Sequence, residues 1–196
     1  MSTIVVVQKN GFAAIAADQM THMGSCRVHA EYKSRSSKIV QLGDSLIGVA
    51  GSTAHTRVVQ SLANNHIDKF DLTSIDSIFE TFRSIHKLLV DEYYLLTEED
   101  DDEQPYQSNQ LNLLIANSTG IYEVQGYREV TQYEKFWSTG SGLEFALGAM
   151  EVLYGDAGLS AQHVAERGVE AGCRFDEASG LPVESYAIPL SPANEG

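Results

Sequence analysis

Paired apolar runs joined by tight turns occur in two blocks of this chain, and each block is followed by two helix-forming stretches. Thr3–Val7 is a β-branched run, Asn10-Gly11 is a strong hairpin turn, and Phe12–Ala17 is a second apolar run ending at Asp18. A polar stretch to Lys33 reads as a loop or extended excursion. Ser37–Leu42 and Ser45–Ala50 form the next predicted hairpin, turning at Gly43-Asp44. Gly51-Ser52-Thr53 then opens a helix with Val58, Val59 and Leu62 on one face. The spacing of Ile75, Ile78, Phe79, Phe82, Ile85, Leu88 and Leu89 predicts a buried helical stripe over Leu72–Leu96, capped by Asp71 or Thr73. Thr97–Ser108 is acidic and polar and reads as an exposed loop. Leu111–Ala116 and Ile121–Val124 make a third hairpin, and Phe136–Thr139 a short strand. Two helices follow, one carrying Ala146, Ala149, Met150 and Leu153, the other capped by Ser160 and running to about Cys173. Val183–Pro189 is the last strand. Strand blocks set apart from helix blocks favour the α+β class, with antiparallel sheets between outer helix layers, over a doubly wound parallel sheet.

The 196 residues suit a single domain, expected over residues 2–190 with a tail at 191–196. With 43% hydrophobic and 20% charged residues and four prolines, the chain can bury a core, which excludes intrinsic disorder. Thirteen Lys and Arg against 27 Asp and Glu give a net charge of −14, which argues against nucleic acid and anionic membrane as partners. No apolar run approaches the roughly 20 residues that span a bilayer. The opening Met-Ser-Thr-Ile-Val-Val-Val has no basic region, so it does not read as a signal peptide. Cys26 and Cys173, without a CxxC, fit reduced thiols in the cytoplasm and no disulfide or zinc site.

Several motifs fall short of chemistry. Gly140-Ser-Gly142-Leu-Glu-Phe145 lacks the third glycine of a dinucleotide loop. The acidic run Glu98–Glu103 lacks the alternating ligands and glycine of an EF-hand. The six histidines (22, 29, 55, 66, 86, 163) show no metal-ligand spacing, and Asn117-Ser-Thr119 reads as a turn. No cofactor and no metal are expected. What remains is the N-terminus: removal of Met1 would leave Ser2 with a free α-amine beside its own hydroxyl. An α-amine titrates near 7.7–8.0 in model peptides, so it can take a proton from that hydroxyl near neutral pH. Nucleophile and base would then share one residue.

The surroundings make Ser2 specific. Met-Ser-Thr-Ile-Val-Val-Val, Asn10-Gly11 and Ile15-Ala-Ala-Asp18 closely resemble the start of the bacterial peptidase HslV and of proteasome β-subunits. These are N-terminal-nucleophile hydrolases. By that resemblance Ser2 takes the nucleophile's place, where the family usually has Thr. Asp18 takes the place of its strand aspartate, and Lys38, in Ser-Ser-Lys-Ile-Val, that of its lysine. Leu46-Ile-Gly-Val-Ala-Gly51 resembles the family's Ala-Gly-x-x-Gly stretch, which makes Gly48 the expected oxyanion donor. Ser138-Thr-Gly-Ser-Gly142 supplies Ser141, and Phe175-Asp-Glu-Ala-Ser-Gly180 resembles a proteasomal Asp-x-x-Ser-Gly that supplies Asp176 and Ser179. The likeness runs from residue 2 to about 189, with the bacterial proteasome homologues the nearest branch.

The resemblance implies a four-layer αββα sandwich and a serine version of the threonine-type peptidase, self-compartmentalised and acting on peptides or unfolded polypeptides. It implies a homo-oligomeric double ring, of fourteen subunits or alternatively twelve, and leaves open an ATPase unfoldase partner. Leu46 and Ala50, flanking Gly48, are expected to line the pocket for the residue before the scissile bond, favouring apolar or aromatic side chains. Two other readings stand beside this one. They are a catalytically silent ring subunit and a small-amide amidase of the same nucleophile class.

Overall fold

The computed structural model describes residues 2–98 and 104–192. Eleven strands and four helices lie in that span, in the order β1 (Ile4–Lys9), β2 (Phe12–Asp18), β3 (Thr21–Met23), β4 (Cys26–Val28), β5 (Ile39–Leu42), β6 (Ser45–Ala50), α1 (Thr53–Asn65) and α2 (Ile75–Asp91). They continue with β7 (Asn112–Asn117), β8 (Gly120–Val124), β9 (Val130–Tyr133), β10 (Phe136–Thr139), α3 (Leu143–Tyr154), α4 (Ala161–Phe175) and β11 (Val183–Pro189). One antiparallel sheet has the order β10-β1-β2-β11 and the other β5-β6-β7-β8-β9. No helix among the described residues is long and apolar enough to cross a membrane.

Side-chain parity assembles the layers. Along β1 and β2, Ile4, Val6, Ala13, Ile15 and Ala17 face the second sheet, while Val5, Val7, Ala14 and Ala16 face α3 and α4. A strand buried on both faces needs a continuous apolar run, which is what Ile4–Val7 and Ala13–Ala17 provide. On the second sheet Ile47, Val49, Leu113, Ile115 and Tyr122 pack against Val59 and Leu62 of α1 and Ile78, Phe82, Ile85 and Leu89 of α2. The result is the expected helix–sheet–sheet–helix sandwich.

The sequence reading differs from the structure at a few places. The excursion after Asp18 is not wholly irregular: β3 and β4 pair there as a small antiparallel ribbon. Strand β9, absent from the reading, pairs with β8 at the sheet edge, where two of its four residues are exposed. Helix α2 begins at Ile75, because Ser74 and Ser77 close a reciprocal capping box; Asp71 instead holds Thr73 in the preceding turn. It ends at Asp91, shortly before Tyr94 takes a left-handed φ of 56°. Ile75 and Phe79 of the predicted stripe face solvent. Ser108, expected in an exposed loop, is buried, its hydroxyl on the Gly126 carbonyl at 3.2 Å. Most of the acidic run and the last four residues of the tail lie outside the described residues.

Candidate active site

The start of β1 is buried at the meeting point of four segments. Asp18, at the end of β2 and fully buried, receives four donors. Its Oδ1 accepts the Thr3 N–H at 3.0 Å and the Lys38 ammonium at 2.7 Å. Its Oδ2 accepts the Met20 N–H at 3.1 Å and the Gly180 N–H at 3.0 Å. Lys38 stands just before β5, with its side chain 8% exposed. One carboxylate oxygen thus joins the backbone next to Ser2 to a buried ammonium.

A second polar chain approaches from the loop after α4. The Ser141 and Ser179 hydroxyls both donate to Asp176 Oδ2, at 2.7 and 2.6 Å. Ser179 has then used its only proton, so in the 2.7 Å contact between the two hydroxyls Thr3 donates and Ser179 accepts. The Ser2 carbonyl accepts the Gly142 N–H at 3.3 Å, and Ser141 Oγ lies 3.5 Å from it.

Glycines make this closeness possible. Gly140 has a φ of 94°, and a Cβ there would run into the Ser2 carbonyl. A Cβ on Gly142 or Gly172 would strike the Thr3 hydroxyl. Thr3, Gly140, Gly142 and Gly172 were not singled out as site residues from the sequence. The Gly140-Ser-Gly142 spacing was the available signal, and nothing local marks Gly172, which meets Thr3 only through the packing of α4 on β1.

Ser2, Asp18, Lys38, Ser141, Asp176 and Ser179 therefore gather around the first residues of β1. Two expected site residues, Gly48 and Leu46, lie elsewhere. Gly48 is in the middle of β6, opposite Ile39 on one side and Leu114 on the other. The Val49 N–H bonds the Lys38 carbonyl across to β5, so the alternating Gly48 N–H points the other way, into β7. Gly48 serves sheet packing: a Cβ there would be 2.5 Å from Ile4 Cγ2 and 3.1 Å from Ile15 Cδ1. Leu46 and Ala50 share its face, toward the layer between the sheets. Leu46 lines a groove of about 490 Å³ with Tyr186 and Ile188, at the far end of β6 from Lys38. Leu46 is thus set away from the cluster, whereas Ala50 lies at the Lys38 end of β6, next to Gly51.

Burial, then the charge of Asp18, pushes the Cys173 thiol up to about 12, so this half-buried neighbour of the cluster is held as an unreactive thiol. Among the described residues no group of three or more His, Cys, Asp or Glu could hold a metal ion.

Known proteins carry the same organisation. A family model described as "Proteasome subunit" matches residues 1–186. A proteasome subunit beta of Nanoarchaeum equitans is 26% identical, covering 96% of this chain and 93% of its own. The ATP-dependent protease subunit HslV of Borreliella burgdorferi is 27% identical, with 88% of each chain covered. The solved structure of Thiobacillus denitrificans BPH in complex with epoxomicin is 36% identical, with a TM-score of 0.89 over 97% of this chain and all of that one. HslV from Trypanosoma brucei, 22% identical with a TM-score of 0.70, shares the fold. Strand order, layer order and family match agree: this chain belongs to the proteasome subunit family of N-terminal-nucleophile hydrolases.

Proposed function

We propose that this chain is a peptidase subunit in which Ser2, once Met1 has been removed, is the nucleophile and its own α-amine the base. The observation that carries this reading is the buried Lys38–Asp18 pair tied to the Thr3 N–H. Desolvating two charges costs several kcal/mol per ion, so such a pair is a poor device for stability alone. An ammonium next to a hydroxyl nucleophile has a use: it lowers the cost of forming an alkoxide and helps keep the α-amine neutral.

In the proposed reaction the Ser2 hydroxyl gives its proton to the α-amine while its oxygen attacks the peptide carbonyl. The tetrahedral intermediate collapses, the scissile C–N bond breaks, and the leaving amine takes the proton back. Water then hydrolyses the ester on Ser2 by the same proton route. Ser141, Asp176 and Ser179, linked by hydrogen bonds beside the Ser2 carbonyl, are suited to orient the amine. The oxyanion donor is assigned to Gly51 and not to Gly48. Ala50-Gly51 supplies the Ala-Gly dipeptide of the family stretch, and Gly51 leaves β6 with a φ of 104°. Such a donor lowers the barrier by about 3–4 kcal/mol.

Peptides or unfolded polypeptides are the proposed substrates, handled in a cytoplasmic homo-oligomeric double ring of fourteen or twelve copies. The relatives named above support the assembly by family, and an ATPase partner is left open. The silent-subunit reading is disfavoured by the buried pair, which a scaffold would not need. Epoxomicin, held by the 36% identical relative, tests the mechanism because an α′,β′-epoxyketone needs both amine and hydroxyl to close its ring adduct. Protein whose intact mass lacks Met1 should gain one inhibitor mass per chain. Ser2→Ala should gain none and lose turnover while assembling normally. Full peptidase activity in protein that retains Met1 would overturn the reading.

A further inference from the structure

Charge is distributed unevenly around this site. The segment from Gln19 to Lys38 holds Arg27, Lys33, Arg35 and Lys38, with Glu31 its one acid, in a chain whose net charge is −14. Among the described residues Lys38 pairs with Asp18, while Arg27, Lys33 and Arg35 form no ion pair. Lys33 is the one turned toward the catalytic cluster. Its ammonium donates to the Gln19 carbonyl at 2.8 Å and to Thr21 Oγ1 at 3.3 Å. Gln19 directly follows Asp18, and its own N–H bonds the Gly180 and Pro182 carbonyls at 3.3 and 3.2 Å. Its side-chain oxygen accepts the Ser36 hydroxyl at 2.9 Å, which draws the chain around Lys33 against the same point. Lys33 is thus fixed by neutral acceptors, without an ion-pair partner among the described residues, one residue from the carboxylate that holds the catalytic lysine.

We infer that the site prefers peptides with an acidic side chain immediately before the scissile bond, and that Lys33 is the residue that reads it. The Lys33 ammonium is held at the residue that follows Asp18, and Asp18 has already committed Oδ1 to Lys38. An ammonium has three donors, and Lys33 spends two of them on neutral oxygens. The acyl-side residue carries the substrate side chain closest to Ser2, and a carboxylate there would supply the missing counter-charge. Partial burial, then the charge of Lys38, hold the Lys33 ammonium below the ordinary lysine range against the pull of Asp18, as expected for a cation short of a partner.

The inference rests on the peptidase reading, and the test separates the two. Assembled protein lacking Met1 would be assayed on acetylated tripeptide amides that differ only in the acyl-side residue: Glu, Gln, Leu or Lys. The Glu/Gln ratio of kcat/KM should be about tenfold or more in the wild type, since a charge partner is present in one and missing in its isostere. Lys33→Met should bring that ratio to within about threefold of one, Lys33→Arg should keep it, and Lys33→Glu should move the preference to the Lys peptide. A Lys33 that merely staples its loop would lower all four substrates in parallel and leave the ratio unchanged, which overturns the inference. A wild-type ratio near one does the same. If epoxomicin still forms its adduct in either of those cases, the peptidase reading survives; absence of both adduct and turnover overturns both.

Discussion

Lys38 and Asp18 hold unequal shares of the stability of their pair. Removing the ammonium leaves Asp18 with three backbone N–H donors, from Thr3, Met20 and Gly180. Removing the carboxylate strands a buried ammonium and orphans those three donors. Asp18→Ala should therefore cost about 3–5 kcal/mol in urea unfolding, and Lys38→Met only about 1–2 kcal/mol. Both should abolish turnover. Equal costs for the two variants would show that the backbone donors do not hold the carboxylate. That these two residues meet is legible in the sequence, as is the gathering of Ser141, Asp176 and Ser179, because each sits in a short motif that resembles the family's. Gly48 misled for a physical reason. A glycine in an apolar strand can be there for a backbone donor or for a close approach, and only the register of β5-β6-β7 and the position of Ile4 decide between them.

Helix α4 shows what local pattern leaves out. Its cap at Ser160 and its inward Val164, Ala165 and Val169 follow from periodicity and agree with the structure. The contact of its last turn with Thr3 spans nearly the whole chain and leaves no local trace. Strand β9 escaped notice similarly: Val130–Tyr133 lies at an edge with its middle residues exposed, so it lacks the apolar run that marks the central strands. Gly172→Ala is the sharpest test of the α4–β1 contact. In an open helix that change gains up to about 1 kcal/mol. Here the new methyl would meet the Thr3 hydroxyl, so a loss of about 1–3 kcal/mol is expected, with a larger fall in peptidase activity than in stability. A stabilised, fully active variant would refute the contact.

The intact molecule carries its charge and its apolar surface on different terms. Phe145 and Phe175 meet at a tilt, ring centres 5.6 Å apart, on the outside of α3 and α4 while 41% and 67% exposed, and Val152 is 81% exposed. Such a face suits burial against other copies, whereas a net charge of −14 per chain opposes crowding many of them together. Assembly should therefore tighten with salt: native light scattering should show a particle of twelve or fourteen chains that forms at lower protein concentration at 0.5 M than at 0.05 M NaCl. A monomer at micromolar concentration under both conditions would refute the ring. The bond between Thr3 and Ser179 carries a temporal consequence. Ribosomes deliver Thr3 long before Asp176, Ser179 and Gly180, and β11 follows them. A nascent chain cannot complete either polar network around Ser2 until residues 176–180 have been made. On the proposed mechanism, translation order itself acts as a safety catch, since the first residues of β1 wait for partners made about 170 residues later.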